Sequence, residues 1–294
     1  MKTRAATVIA CLLAWNACGV AVRADSTLYA VDSTFNGLYT LSTTTAQLTL
    51  VGTVSFQGYD SHILSDLTYD PVHNLLCGLD EGGGGILGAS NGAIVAIDPQ
   101  TAVATTIATI PQGDGAYVHG LAYDRLSDTF YYSSDYDGDL YRVDAKTGQT
   151  TKVGFIGSFS TLQQPYVDGL EFDPTTNVLY GCVSDWDDNG ALVRIDTTTG
   201  QGTLIGYTRG MTDIAFQPGT NTLFGIDNGK GISPGSLYTV DLTTGAATLI
   251  GQIDNNSLLG AAFVPVPEPS TLALLALGSI GLLARRRFAS KFVH

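Results

Sequence analysis

Short, mainly apolar runs recur along the middle of the chain, separated by Gly, Asp and Thr. β-Branched and aromatic residues are frequent in these runs, and such runs flanked by turn residues predict strands joined by tight hairpins. Almost no stretch combines Ala, Leu, Glu and Lys in the way that helices do. The pattern therefore predicts an all-β domain.

One segment of this pattern occurs five times, as an apolar residue followed two places later by an aromatic residue and, in four copies, by Pro two places after that. The copies are Asp66–Pro71, Gly120–Arg125, Gly169–Pro174, Asp213–Pro218 and Gly260–Pro265. The aromatic residues are spaced by 54, 49, 44 and 47 positions, which is the length of a four-stranded propeller blade. Most copies are followed by a second strand and by a third strand that ends in Asp. A Thr-Gly turn then leads into a fourth strand.

The two ends of the repeat region complement each other. The N-terminal part supplies only strands two to four of a unit, whereas the segment 257–264 matches a first strand with nothing after it. A last strand that completes the first blade closes a ring and protects the sheet edges. We therefore predict a five-bladed β-propeller of four-stranded antiparallel blades over residues 25–264. A six-bladed ring with one divergent unit and a β-sandwich are the alternatives.

Residues 1–24 have the layout of a secretory signal peptide. Lys2 and Arg4 precede an apolar run, and small residues ending at Ala24 offer a cleavage site. Cys18 raises the alternative of a lipoprotein signal. Removal of the signal leaves Cys77 and Cys182, which fall in non-adjacent units and are expected to be buried thiols.

Charge narrows the classes of partner. The net charge is -13, but the segment from Asp25 to Glu268 holds all 27 acidic residues and only seven basic ones, which gives -20. Such a surface repels nucleic-acid backbones and suits a soluble extracellular body or a cation binder. No nucleic-acid partner is expected.

Composition changes abruptly after Val264. A Pro-rich spacer, an apolar run over 270–284 and a basic cluster make up residues 265–294. Alternating Pro ends the sheet, and the run of about 14 apolar residues is shorter than the roughly 20 of a comfortable membrane span. We predict a short transmembrane helix whose Arg cluster stays in the cytoplasm.

This tail resembles the PEP-CTERM sorting signal in order, spacing and C-terminal position. The residues that carry the resemblance are Pro267, Glu268 and Pro269, followed by Arg285, Arg286 and Arg287. The resemblance implies export through the Sec machinery and processing by an exosortase, which passes the protein to the cell surface or extracellular matrix. An ordinary C-terminal anchor is the alternative. The repeats are similar to uncharacterised secreted propeller domains, which brings no assigned activity.

Strand directions place the second-to-third and fourth-to-first loops on one face of the propeller. The candidate ligand residues on this face are Tyr59, Asp66, Tyr117, Tyr166, Asp168, Arg209 and Asp213. Tyr and Asp suit the stacking and hydroxyl hydrogen bonds of a sugar. The first hypothesis is therefore a non-catalytic module that binds polysaccharide, a surface protein or a small ligand.

The second hypothesis is a lyase or hydrolase, with His62 or His119 as base beside a carboxylate or a metal. No nucleophile elbow, zinc-protease helix or phosphate loop is present in the sequence, and no cofactor-binding motif is predicted.

One loop matches the spacing of a calcium site. Its candidate ligands are Asp185, Asp187, Asn189 and Asp196. A solvated acidic hairpin is the alternative, as is turn capping by the Asp that ends each second strand.

Overall fold

The computed structural model describes residues 25–56, 63–81, 92–110, 118–135, 137–159, 162, 166–185, 187–229, 234–255 and 257–266. Residues 26–265 form one compact unit of 21 strands in five sheets. The predicted five-bladed propeller of four-stranded antiparallel blades is confirmed. The predicted signal peptide and tail helix lie outside the described residues. Among the described residues, no helix has the length and apolar character needed to span a lipid bilayer.

In each blade the first strand named below lines the channel, and the fourth lies on the outside of the ring. Blade 1 comprises β21 (Leu258–Pro265), β1 (Ser26–Asp32), β2 (Gly37–Leu41) and β3 (Leu48–Thr53). Blade 2 comprises β5 (Leu64–Asp70), β6 (Leu75–Asp80), β7 (Gly92–Ile97) and β8 (Val103–Ile110). Blade 3 comprises β9 (Val118–Asp124), β10 (Thr129–Ser134), β11 (Asp139–Asp144) and β12 (Thr150–Phe155).

The last two blades follow the same order. Blade 4 comprises β13 (Tyr166–Phe172), β14 (Leu179–Ser184), β15 (Asn189–Ile195) and β16 (Gly202–Arg209). Blade 5 comprises β17 (Asp213–Gln217), β18 (Thr222–Asp227), β19 (Gly235–Val240) and β20 (Ala247–Ile253). A two-residue strand, β4 (Ser55–Phe56), adds to blade 2 by pairing in parallel with β8.

The ring closes where β21 pairs antiparallel with β1, in a register that sets Leu28 opposite Phe263. The described core divides into five apolar clusters, and each lies between two adjacent blades, including blades 5 and 1. Cys77 lies in the cluster between blades 2 and 3, and Cys182 lies in the cluster between blades 4 and 5. Both are buried and unpaired, as expected. Packing between blades therefore holds the ring together.

A β-bulge interrupts four of the inner strands near the same end of the channel. The shifts fall after Leu64 in β5, after Val118 in β9, after Val167 in β13 and after Leu258 in β21. A bulge adds one residue to a strand and re-aims its side chain. Ser65, His119, Asp168 and Leu259 occupy equivalent positions in these bulges, and we call this position the bulge position.

Small residues on the outer strands receive the turns of the next blade. Gly52 in β3 faces Ala102, and Gly206 in β16 faces the turn of Thr244 and Gly245. A methyl group on Gly206 would overlap the Thr244 carbonyl, whereas one on Gly52 would lie 3.4 Å from the Ala102 methyl. The close approach of neighbouring blades thus requires glycine at Gly206, whereas the interface at Gly52 has room for a methyl group.

Candidate functional site

A concave cavity of about 440 Å³ opens at the end of the channel where the inner strands begin. We call this end the channel mouth. Its polar lining consists of Ser65, His119, Asp168, Ser184, Asp185, Asp188, Thr212, Asp227 and Asn228. A cavity of this size, with polar groups converging on it, is typical of a small-ligand site.

His119 lies among three carboxyl groups in the mouth. Its Nε2 atom is 3.3 Å from Asp135 Oδ2 and 3.9 Å from Glu81 Oε1, and its Nδ1 atom is 3.8 Å from Asp168 Oδ1. The second oxygen of Asp168 accepts a short hydrogen bond from Ser184 Oγ. Four ionisable groups from blades 2, 3 and 4 therefore share one small region.

Burial shifts the pKa of each of these groups in the direction that favours the neutral form. It lowers the pKa of His119 to about 4 and raises that of Asp168 to about 7. Burial, followed by the charges of Asp168 and Glu81, raises the pKa of Asp135 to about 8. Burial and the charge of Asp80 raise the pKa of Glu81 to about 7. Clusters of carboxyl groups that titrate near neutrality occur more often at functional sites than elsewhere.

The residues equivalent to His119 and Asp168 in blades 2 and 5 have a structural role. Ser65 Oγ lies 3.3 Å from the Val118 carbonyl of blade 3, and Thr212 Oγ1 lies 3.2 Å from the Leu258 carbonyl of blade 1. Each hydroxyl thus links its own blade to the next.

Between blades 3 and 4 and between blades 4 and 5, the link comes from a second strand instead. Ser133 Oγ donates to the Val167 carbonyl at 2.7 Å, and Cys182 Sγ lies 3.6 Å from the Met211 carbonyl. These two side chains supply the link in blades 3 and 4, so the bulge positions of those blades can hold His119 and Asp168.

Asp135 differs in a similar way from the other Asp residues that end a second strand. Asp32 and Asp227 each accept a bond from a backbone N–H of the following turn and from a tyrosine hydroxyl. In blade 3, Asp137 accepts the equivalent bonds from Asp139 N and Tyr141 Oη. Asp135 faces His119 instead, and its buried Oδ1 has no hydrogen-bond partner among the described residues. The turn-capping interpretation therefore fits Asp32 and Asp227 but fails for Asp135.

Two further carboxyl groups occupy the channel below the mouth. Asp66 Oδ2 accepts from Leu121 N, and Asp213 Oδ2 accepts from Ala261 N, each at 2.5 Å, so that each links its blade to the next. Burial raises the pKa of both, to about 8 for Asp213, and the charge of Asp213 raises that of Asp66 further. Both side chains are fully buried. They belong to the channel wall and not to an accessible ligand surface.

The predicted calcium ligands are not brought together. Asp185 accepts bonds from Asp187 N and Asn189 N, which caps its own turn. Asp196 follows β15 and caps the turn at the opposite end of that strand through Thr198 N and Thr199 N. Seven strand residues separate the two ends by about 20 Å. The sequence spacing of the calcium pattern is present, but β15 carries Asp196 away from the other three residues.

The other predicted face residues have mixed outcomes. Arg209 is on the rim, where it pairs with Asp188 at 2.8 Å and with Asp227 at 3.4 Å and lies over the Tyr238 ring. Asp168 lines the cavity, and the backbone of Tyr166 begins β13. Tyr59, His62 and Tyr117 lie outside the described residues.

Glu81, Ser184 and Asn228 were missed by sequence reasoning. Comparison of the bulge position between repeats would have distinguished His119 from its Ser and Thr equivalents.

The opposite end of the channel holds a second cavity, of about 260 Å³. The five repeated aromatic residues line it, together with four prolines, Arg125 and Glu171. Burial, and then the charge of Asp213, raises the pKa of Glu171 well above its usual range. This end is more apolar than the mouth.

Residues 265–287 match the family model of the PEP-CTERM protein-sorting motif. The resemblance read from the tail is confirmed, and the motif indicates an exported, cell-surface-sorted protein that an exosortase processes. No curated protein matches the chain.

Solved structures with a similar fold have low sequence identity. A chain of a nidogen/laminin complex has a TM-score of 0.51 at 14% identity, over 82% of this chain and 98% of that one. A periplasmic gluconolactonase from Pseudomonas aeruginosa has a TM-score of 0.44 at 15% identity, over 82% and 70%. An oligogalacturonate lyase in complex with manganese has a TM-score of 0.45 at 12% identity, over 78% and 62%. At these identities the likeness concerns the fold alone.

Proposed function

We propose that this exported propeller is a cell-surface binding module whose ligand is a neutral, polyhydroxylated molecule of the carbohydrate class, bound in the channel mouth. The observation that carries the proposal is the mouth cavity of about 440 Å³, whose wall combines carboxylate, hydroxyl and amide groups. Pockets of roughly 300–1,000 Å³ are usual for small ligands.

The chemistry of the wall favours hydroxyl groups over anions. Carboxylates such as Asp188 and Asp227 only accept hydrogen bonds, and sugar hydroxyls can donate to them. Arg209, held between these two carboxylates on the rim, supplies donors for ring and hydroxyl oxygens. The excess of acidic groups disfavours ligands that carry carboxylate, sulfate or phosphate.

Binding of oligosaccharides to the purified full chain in detergent, with chelator present, tests the proposal. We expect neutral oligosaccharides to bind and their uronate-bearing counterparts to bind more weakly. Asp188→Ala removes an exposed acceptor in the cavity and should weaken binding about tenfold, the equivalent of ~1.4 kcal/mol. Asp144→Ala removes the same charge from an exposed turn after β11 and should leave affinity unchanged. Equal affinity in both variants, or no binding of neutral glycans, would refute the proposal.

A second candidate function is acid–base catalysis on such a ligand, as a lyase or hydrolase. The observation that favours it is the placement of His119 among three carboxyl groups whose pKa values are raised toward neutrality. A neutral His and a protonated carboxyl can serve as base and acid at neutral pH.

Incubation of bound oligosaccharides with the full chain distinguishes the two functions. Release of new reducing ends or unsaturated products, lost in His119→Gln, supports the enzyme. Binding without turnover supports the module.

A further inference from the structure

Three side chains with metal-binding atoms converge at the channel mouth: His119 and Asp135 of blade 3 and Asp168 of blade 4. Their ligand atoms all lie within 4.8 Å of one another. From this geometry we infer that the three residues bind one first-row divalent cation of the Zn²⁺ or Mn²⁺ class. The inference goes beyond the carbohydrate proposal and does not depend on it.

The distances suit an ion of this size. Two ligands of a tetrahedral ion at 2.0–2.2 Å are about 3.4 Å apart, and His119 Nε2 is 3.3 Å from Asp135 Oδ2. The remaining separations are no more than 4.8 Å, wider than this by at most about 1.4 Å, so binding would draw the carboxylates inward. The protein supplies three ligands, and the open mouth leaves room for water or a ligand oxygen in a further position.

The surroundings of the two carboxylates also fit a cation. Asp135 Oδ1 is buried and has no hydrogen-bond partner among the described residues, and such buried acceptors are rare unless something satisfies them. The hydrogen bond from Ser184 Oγ to Asp168 fixes the orientation of that carboxylate, as outer-shell partners of metal ligands do. Glu81 adds a third carboxyl group, whose Oε1 atom is 3.9 Å from His119 Nε2.

The repeat provides an internal comparison. The equivalents of His119 and Asp168 are Ser65 and Thr212, whose hydroxyls link neighbouring blades, and Leu259. In blades 3 and 4 that link comes from Ser133 and Cys182 of the second strands. In blade 3 the turn after the second strand is capped by Asp137, whereas Asp32 and Asp227 cap the equivalent turns of blades 1 and 5. The three cluster residues thus differ in role from the equivalents Ser65, Thr212, Asp32 and Asp227, which indicates that they serve something other than the fold.

The donor set selects the ion. One imidazole with two carboxylates suits Zn²⁺, Mn²⁺ or Fe²⁺, whereas Ca²⁺ prefers six to eight oxygen ligands. The inference therefore differs from the calcium site predicted at Asp185 in both residues and metal.

The test is calorimetric titration of the chelator-stripped full chain in detergent with ZnCl₂, MnCl₂ and CaCl₂, without any sugar. We expect one Zn²⁺ or Mn²⁺ per chain and weaker Ca²⁺ binding. His119→Gln and Asp135→Asn should each lower the affinity for Zn²⁺ or Mn²⁺ at least tenfold. His73→Gln, which removes a half-exposed histidine outside the cluster, should leave it unchanged.

A second readout identifies the ligand directly. Co²⁺ bound to the protein should show visible absorption bands of a four- or five-coordinate site, and these bands should disappear in His119→Gln. Circular dichroism checks that each variant folds. The inference fails if the folded protein binds no Zn²⁺ or Mn²⁺, if both cluster variants bind as tightly as the parent, or if Ca²⁺ binds more tightly than either metal. If His119→Gln or Asp135→Asn loses metal binding but still binds glycan in the presence of chelator, the metal site and the proposed carbohydrate binding are independent.

Discussion

The buried pair Asp66 and Asp213 predicts that the propeller loses stability as pH rises. Because the pKa of each group is raised in the folded state, the folded protein holds protons that the unfolded chain releases. The stabilising effect is fully present below the unfolded pKa near 4 and is lost as pH rises through the folded value, which is about 8 for Asp213.

The magnitude follows from the shift. A change from 3.8 to about 8 in Asp213 corresponds to about 6 kcal/mol at ~1.4 kcal/mol for each pKa unit. Relaxation of the channel and entry of water reduce this penalty, so we expect a loss of about 2–4 kcal/mol in the free energy of unfolding between pH 5 and about pH 9. Asp213→Asn removes one of the two charges and should reduce this loss by half or more.

Urea unfolding of the full chain in detergent, followed by circular dichroism at several pH values with chelator present, measures this effect. The carboxyls at the channel mouth and Glu171 at the opposite end contribute a slope of the same sign. The difference between the parent protein and the variant therefore reports the contribution of Asp213 and of the groups whose pKa its charge raises, Asp66 and Glu171. Asp144→Asn provides a control, because Asp144 is exposed and its pKa is lowered by backbone and side-chain bonds from Thr147. A parental stability that is constant or rises over this range, or an unchanged slope in Asp213→Asn, would refute the reasoning.

Two further predictions concern packing and the acidic loop. Gly206→Ala should lower the Tm by about 5–10 °C in a thermal melt, since overpacking costs ~1–3 kcal/mol, while Gly52→Ala, which has room for the methyl, should change it by no more than about 2 °C. Equal melts of the two variants would contradict the account of the inter-blade turns. Asp185→Ala should lower the free energy of unfolding by about 1 kcal/mol through loss of its turn bonds, equally with calcium or chelator. A calcium-dependent Tm that Asp185→Ala abolishes would restore the calcium site.

The fold was predictable because the same strand pattern is repeated along the chain. Five aromatic segments at near-constant spacing set the number of blades, and the unpaired segments at the two ends gave the closing strand. The sorting motif of the tail was predictable from its resemblance to the PEP-CTERM signal in order, spacing and position. None of these inferences needs the direction of a particular side chain.

The site at the mouth depends on such directions. His119 lies in β9, Asp135 follows β10, and Asp168 lies in the next blade. Their proximity therefore follows from blade geometry and the bulges. Alternation along a strand predicts side-chain faces only while the register holds, and each bulge breaks it at the residue of interest. The calcium site predicted at Asp185 and Asp196 fails for the opposite reason. Their sequence spacing matches the calcium pattern, but an extended strand separates them in space.

The closing strand β21 ends at Pro265, the residue at which the matched sorting motif begins. Any tension that reaches the domain through its C-terminal tail therefore enters through the strand that completes the ring. The first resistance is the β1–β21 pairing, which spans seven residues of β1 and can be peeled one hydrogen bond at a time. Because this pairing joins the two ends of the ring, we expect the seam between β21 and β1 to open first under such tension, before the pairing within blades 2 to 5 is disturbed.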